Sequence, residues 1–295
     1  MSDADDQARR PGTRAANRDS FRQRHPLVVW SVLLALLLPL IGGTAYAWNL
    51  KRNLDDIDTV KIKTPKAVPD PDEGRAINVL LLGSDKGEAK PGQSKKTSIS
   101  QDASASEWPS GKYRSDTLMV VHIPADRSRV YLVSIPRDSF VPIYDRDDKT
   151  THSEKINAAF SAGGPAAAIN TVRNLTGLEI DHLAIIDWEG VKDLSTAVGG
   201  VEVTIPESFY DPKQKIRWEA GTQTLEGKEA LAYVRTRYGL IGGDFDRIKR
   251  QQNFLRSLMK KMLSNGVTAN PAKLSNTVSA LTKNLTVDEQ WSGAS

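Results

Sequence analysis

The chain has 295 residues, 39% of them apolar and 26% charged, which suits one sizeable domain or two small ones with appendages. It holds no cysteine, so disulfides, thiolate metal sites and cysteine nucleophiles are excluded. The formal net charge is +4, and six arginines against four aspartates in residues 1–26 account for +2 of it, leaving only +2 for the rest. That balance gives no ground for a nucleic-acid partner, so charge after the first 26 residues has to be judged by local clustering.

In chain order, the first element is the run LVVWSVLLALLLPLIGGTAYAW, residues 27–48, with 22 uncharged residues. As a helix it would span about 33 Å, enough to cross a bilayer. The arginine-rich residues 1–26 should stay cytoplasmic, which predicts a single-pass anchor in the cytoplasmic membrane and an extracytoplasmic remainder. Ala45, Tyr46 and Ala47 also have the small-x-small form of a processing site, and a cleaved signal would export residues 49–295 equally. Residues 49–75 are polar, with prolines at 65, 69 and 71, the composition of a stalk.

INVLLLG, residues 77–83, is a short continuous apolar run closed by glycine and predicts a buried strand with Asp85 beyond its end. Residues 86–112 are rich in Lys, Ser, Gly and Ala without periodicity and are expected to form a flexible loop. DTLMVVHI (116–123) and RVYLVSI (129–135) read as adjacent strands around a Pro-Ala-Asp turn. Residues 155–177 predict a short helix, a glycine break, and a second helix with proline at its start and glycine at its end. HLAIID (182–187) is another buried strand, followed by an amphipathic stretch and the alternating VEVTI (201–205). Residues 206–224 are a polar excursion of undecided strand content. LEGKEALAYVRTR predicts a short helix running into an extended segment at 232–236, and helices follow at about 244–263 and 271–283. Buried strands interleaved with helices predict an α/β fold: a three-layer α/β/α domain over residues 76–285 with a mixed central sheet, preceded by one transmembrane helix.

Sites in open α/β sheets form beyond the carboxyl ends of strands. Asp85 follows one strand, Arg137 a second, and Arg235 with Arg237 a third, while Asp116 opens a strand. Asp85 and Asp116 suit a hard cation such as Mg2+, which takes carboxylate oxygens alongside substrate phosphates, although each alone reads equally as a turn-former. Arg235 and Arg237 would share one face of an extended segment, where two guanidinium forks can grip a phosphate or pyrophosphate. Asp244, Arg247 and Gln251 are spaced by three and four and share one face near a helix amino terminus, which favours anions. The competing account is a solvated helix end, with Asp244 as cap and Asp246 pairing with Arg250. With Arg235, Arg237 and Arg247 assigned to an anion, Lys249 and Arg250 are expected on an ordinary wet helix face. GLIGGDFDR lacks the Gly-Lys-Ser/Thr ending of a P-loop, the four histidines lack metal-ligand spacing, and no Gly-x-Ser-x-Gly elbow occurs.

The ordered motifs NVLLLGSD, RSDTLMVVHI, VYLVSIPRDSFVPI, KINAAFSAGG, DHLAIIDWEG, LAYVRTR and DFDRIKRQQ resemble the LytR-CpsA-Psr family of bacterial cell-envelope proteins over about residues 77–285. The resemblance implies a phosphotransferase that moves an anionic glycopolymer from a polyprenyl-pyrophosphate carrier to peptidoglycan, using Mg2+, with Mn2+ as an alternative ion. It implies that Asp85 and Asp116 are metal-associated acids, and that Arg137, Arg235, Arg237, Arg247 and Gln251 surround the pyrophosphate, with Lys155 at the rim and Asp244 nearby. Asp85 or Asp116 would take the proton of the attacking sugar hydroxyl. The alternatives are a polyprenyl-pyrophosphate pyrophosphatase using the same site, and a non-catalytic regulator that binds a polyprenyl phosphate.

Overall fold

The sheet is built around the apolar run that begins at Ile77. A computed structural model describes residues 46–62, 74–85, 98–105, 107–236 and 242–292. Most of the expected membrane segment, residues 27–45, lies outside the described residues, and no helix among those described is long and apolar enough to cross a membrane.

Six strands hydrogen-bond in the order β1-β12-β7-β2-β3-β4: β1 (Asp58–Val60), β2 (Ile77–Asp85), β3 (Arg114–Ile123), β4 (Tyr131–Ile135), β7 (His182–Asp187) and β12 (Leu285–Asp288). β2 runs parallel to β7 and antiparallel to β3, so the sheet is mixed. β1 pairs parallel with β12 and buries Val60, so residues 58–60 of the expected stalk form a strand at the edge of this sheet. The polar composition of residues 49–75 concealed this, because only every second residue of an edge strand needs to be apolar.

The flexible loop expected over residues 86–112 is corrected in its second half; residues 86–97 lie outside the described residues. Helix α1 (Ile99–Ala103) opens with a capping box between Ser98 and Gln101. Beyond it Trp108 is buried, its ring centroid 5.5 Å from that of Phe160 and 5.1 Å from that of Tyr113. Asp102 accepts from the Tyr113 hydroxyl at 2.6 Å and pairs with Lys112. A few anchoring side chains therefore order a segment whose composition reads as low complexity.

The predicted glycine break is present within α2 (Asn157–Thr176): two helical segments meet at Gly164, whose backbone is not helical. Gly164 (φ 75°, ψ −160°) precedes Pro165, and a Cβ at Gly164 would stand 2.7 Å from Trp108 Cδ2, so the indole seats only against glycine. The helix ends on Gly177 in the left-handed conformation. Its Phe160, Ala168, Ile169 and Val172 pack with Leu80, Leu82, Leu118, Val120, Leu183 and Ile185, alternate residues of three strands that therefore share one face of the sheet.

A second apolar cluster is assembled from α3 (Trp188–Ala197), β8 (Val201–Ile205), α4 (Gly227–Arg235) and α5 (Asp244–Met262), and Ile186 of β7 packs against it. Leu194, Val203, Tyr233, Phe254 and Leu258 are among its members. The excursion at 206–224 resolves into three short strands, β9 (Phe209–Asp211), β10 (Ile216–Trp218) and β11 (Gly221–Leu225), with β11 antiparallel to β8. A hairpin of β5 (Phe140–Tyr144) and β6 (Thr150–Lys155) went unforeseen because Pro142 interrupts the apolar run FVPIY and β6 is polar throughout.

The expected extended segment at 232–236 is a correction too. α4 stays helical through Arg235 and buries Ala230, Leu231, Tyr233 and Val234. The burial of consecutive helical positions against the second cluster outweighs the strand propensity of Tyr233 and Val234.

Candidate active site

Antiparallel pairing brings the carboxyl end of β2 to the amino end of β3. Asp85 pairs with Arg114 and Ser84 with Ser115, whereas Gly83 pairs with Thr117, so Asp116 is the extra residue of a β-bulge. Bulges re-aim a side chain beside a strand end, and here the re-aimed residue is the predicted acid. The same pairing sets the backbones of Asp85 and Asp116 on neighbouring strands; the side chain of Asp85 lies outside the described residues.

Leu118 pairs with Ile135, and continuing that register sets residue 137 across from residue 116. Arg137 Nη1 lies 2.5 Å from Asp116 Oδ1, with the two side chains about one-fifth exposed. Arg137 Nε reaches Asp138 Oδ2 at 3.4 Å, and Lys155 Nζ reaches Asp138 Oδ1 at 2.8 Å. The hydrogen bond from Lys155, with the charges of Arg137 and Lys155, holds the Asp138 carboxyl below its usual value against the opposing effect of burial. A line of alternating charge thus runs from Asp116 to Lys155 along one end of the sheet.

α5 covers this end from the second-cluster side. Arg247 is 2% exposed and Gln251 6%. Arg247 Nη2 lies 3.5 Å from the carbonyl oxygen of Asp116, and Gln251 Oε1 accepts from Thr117 Oγ1 at 3.1 Å. Gln252 fastens the helix to β4 by donating to Ser134 Oγ at 2.9 Å. Along α5, Arg247, Gln251, Phe254 and Leu258 form one buried stripe that is polar over the sheet end and apolar further on. Burying a guanidinium is costly unless it is hydrogen-bonded or paired, and Arg247 meets the Asp116 carbonyl oxygen at the polar start of this stripe. A small cleft opens among Asp116, Thr117, Ser134, Arg137, Arg247 and Gln251.

Of the predicted residues, Asp116, Arg137, Arg247 and Gln251 converge directly. Lys155 joins through Asp138, and Arg235 is exposed at the end of α4. Arg237 and the side chain of Asp244 lie outside the described residues. The helix is capped at Gly243 without a side-chain bond, so Asp244 is its first residue. The wet-face account of Arg250 is overturned: Arg250 is 8% exposed and donates to Thr236, whereas Lys249 is open to solvent and lies 3.9 Å from Asp246. Sequence reasoning passed over Thr117, and also Asp187, which is buried at the carboxyl end of β7 and pairs with Ser84. The signal for Asp187 was present in HLAIID, an apolar run closed by an acid like that of VLLLGSD.

The model of the LytR_cpsA_psr family matches residues 44–294. The chain belongs to the LytR-CpsA-Psr family. It is 34% identical over 242 residues to the cell wall biosynthesis protein LcpA of Corynebacterium glutamicum, covering 73% of this chain and 45% of LcpA. It is 28% identical to the polyisoprenyl-teichoic acid–peptidoglycan teichoic acid transferase TagU of Enterococcus faecalis, covering 85% of this chain and 76% of that protein. The crystal structure of B. subtilis TagV superposes with a TM-score of 0.56 at 31% identity, over 73% of this chain and 74% of TagV. The chain thus spans less than half the length of LcpA and about three quarters of the other two. Members of the family share its mixed α/β fold, and the cleft lies at the end of that sheet where Asp116 and Arg137 meet α5.

Proposed function

We propose that this protein is a membrane-anchored transferase that moves an anionic glycopolymer from a polyprenyl-pyrophosphate carrier to peptidoglycan. The observation that carries this reading is the convergence of Arg137, Arg247 and Gln251 on Asp116 at one end of the sheet. The transferase name of the E. faecalis relative supports the class of reaction. The anchor is assigned to residues 27–48 and the stalk to the residues that follow, on composition.

In the proposed reaction a peptidoglycan sugar hydroxyl attacks the glycopolymer-linked phosphorus. A new P–O bond forms, the P–O bond to the bridging oxygen breaks, and polyprenyl monophosphate leaves. The hydroxyl proton passes to the carboxylate of Asp85 or Asp116. Arg137 and Arg247, with Arg235 and Arg237 from the neighbouring segment, bind the pyrophosphate oxygens and neutralise the charge that grows on the leaving phosphate. Gln251 and Thr117 hold α5 against β3 so that Arg247 stays at the cleft. Lys155 and Asp138 orient Arg137 from the rim.

Asp85 and Asp116 fit a hard cation in donor type, since both offer carboxylate oxygen and their backbones meet across the β2–β3 bulge. They are the residues assigned to hold Mg2+, or Mn2+, which when bound would withdraw charge from the phosphate oxygens.

The test uses the full chain in detergent with a polyprenyl-pyrophosphate-linked glycopolymer, Mg2+ and peptidoglycan. Polymer joined to peptidoglycan, with stoichiometric polyprenyl phosphate, is the expected result. Polyprenyl phosphate and polymer phosphate formed at the same rate without peptidoglycan would instead identify a pyrophosphatase. Carrier bound without turnover would identify a regulator.

A further inference from the structure

Arg250 precedes Gln251 on α5, yet its guanidinium serves a different element. Nη2 donates to the carbonyl oxygen of Thr236 at 2.5 Å, and the group lies over the Phe209 ring, 5.2 Å from its centroid. Thr236 is fully buried and is held from the other side as well. Gln214 Nε2 donates to Thr236 Oγ1 at 2.9 Å and to the Ala232 carbonyl at 3.1 Å, and it also bonds Asp211 Oδ2 at 3.0 Å. Gln251 Nε2 donates to the Val234 carbonyl at 3.3 Å. Two neighbouring α5 side chains therefore fix the carbonyls of Val234 and Thr236, while Gln214 between β9 and β10 holds the Thr236 hydroxyl and the Ala232 carbonyl. Arg235 is the residue between those carbonyls, and Arg237 follows directly in sequence.

A buried cation suits this place for two reasons. The last carbonyls of α4 lack intrahelical partners and lie at the negative end of the helix dipole. The Phe209 ring supplies a second favourable surface, which a neutral side chain would not exploit. Lost solvation pulls the Arg250 pKa down, while Tyr233, Asp246 and Asp211 push it back up. Because Arg250 is sealed in and Arg235 is exposed, the division of labour between them is readable from burial.

We propose that Arg250 is a positioning residue: it fixes the backbone of Val234, Arg235 and Thr236 so that Arg235 is presented to the substrate pyrophosphate. The proposal rests on the transferase reading.

Farnesyl pyrophosphate titrated into the full chain in detergent tests it, with a thermal melt of each variant. Arg250→Lys, which keeps the charge but not the planar fork, should weaken binding about tenfold while the melting temperature stays within a few degrees. Arg235→Ala should cost a similar factor. If Arg250 acts through Arg235, the double variant should lose no more than about twofold beyond the weaker single, since coupled sites are non-additive. Wild-type affinity in Arg250→Lys, or losses that multiply in the double variant, would overturn the proposal. Should Arg250→Lys fail to fold, Gln214→Met gives the same cycle from the other side of Thr236, and multiplied losses there overturn it equally. No binding of farnesyl pyrophosphate by the wild-type protein overturns the transferase reading and the proposal with it. Wild-type binding with multiplied losses overturns the proposal alone.

Discussion

The two ends of the central sheet use the same residue types for opposite purposes. At the end where β7 begins, Asp181 accepts from the Asn78 backbone at 2.7 Å and pairs with Arg75 at 2.7 Å, and Asp288 accepts from the Leu183 backbone at 2.9 Å and lies 3.2 Å from His182. These carboxylates are almost wholly buried and bond the backbone of neighbouring strands, so they fasten β2 and β12 to the start of β7. At the other end Asp116 sits on a bulge, one-fifth exposed, its carboxylate paired with Arg137 just beyond β4 and its carbonyl oxygen reached by Arg247 of α5. A buried acid bonded to strand amides secures the fold, whereas a part-exposed acid paired with an arginine at a small cleft is placed where a ligand could reach it.

Arg247→Ala should strike the functional end hardest. Losing a guanidinium that meets developing charge is expected to lower transfer by about 100- to 1,000-fold, roughly 3–4 kcal/mol of transition-state stabilisation. The checks are the transfer assay on the full chain and a melt, which should stay near wild type. A parallel fall in melting temperature and rate would mean that Arg247 is a fold residue after all, and the contrast between the ends would collapse.

Asp181→Ala tests the structural end. It strands the Asn78 amide and removes the partner of a half-buried arginine, so a loss of about 2–4 kcal/mol in stability is expected. Denaturant midpoints measure it, and the transfer rate per folded molecule should stay within about twofold, as sites without shared partners are independent. A large rate loss at unchanged stability would place a functional group at this end as well.

The sequence showed the strands and long helices well, because INVLLLG and HLAIID are short continuous apolar runs and α5 carries a helical stripe. It also placed Asp116, Arg137, Arg247 and Gln251 together, through strand ends and helix spacing in part and family resemblance in part. Hidden were the features that depend on long-range pairing. Neither the bulge at Asp116 nor the strand at residues 58–60 exists without its partner strand. Arg250 was misjudged for the same reason: its acceptor is 14 positions away on another helix, outside the reach of i,i+4 reasoning. The helical end of α4 at Arg235 shows burial overriding local strand propensity.

The smallest effect sought is at the boundary of the cleft, where Asp138 joins Arg137 to Lys155. Asp138 and Lys155 are about half exposed, so their pair should contribute little, on the order of 0.5 kcal/mol once solvent screening is allowed for. Its pH dependence still has a definite sign. The folded-state pKa of Asp138 lies below its unfolded value, so the contribution is fully present above the ordinary carboxylate range and is lost as pH falls through the lowered folded value. Wild type and Asp138→Asn should therefore differ by a constant amount between about pH 8 and 5 and converge below about pH 4. Denaturant midpoints across that range provide the measurement. A difference that instead grew on acidification would show that Asp138 is not held ionised by Lys155 and Arg137, and the line of alternating charge would end at Arg137, within the cleft.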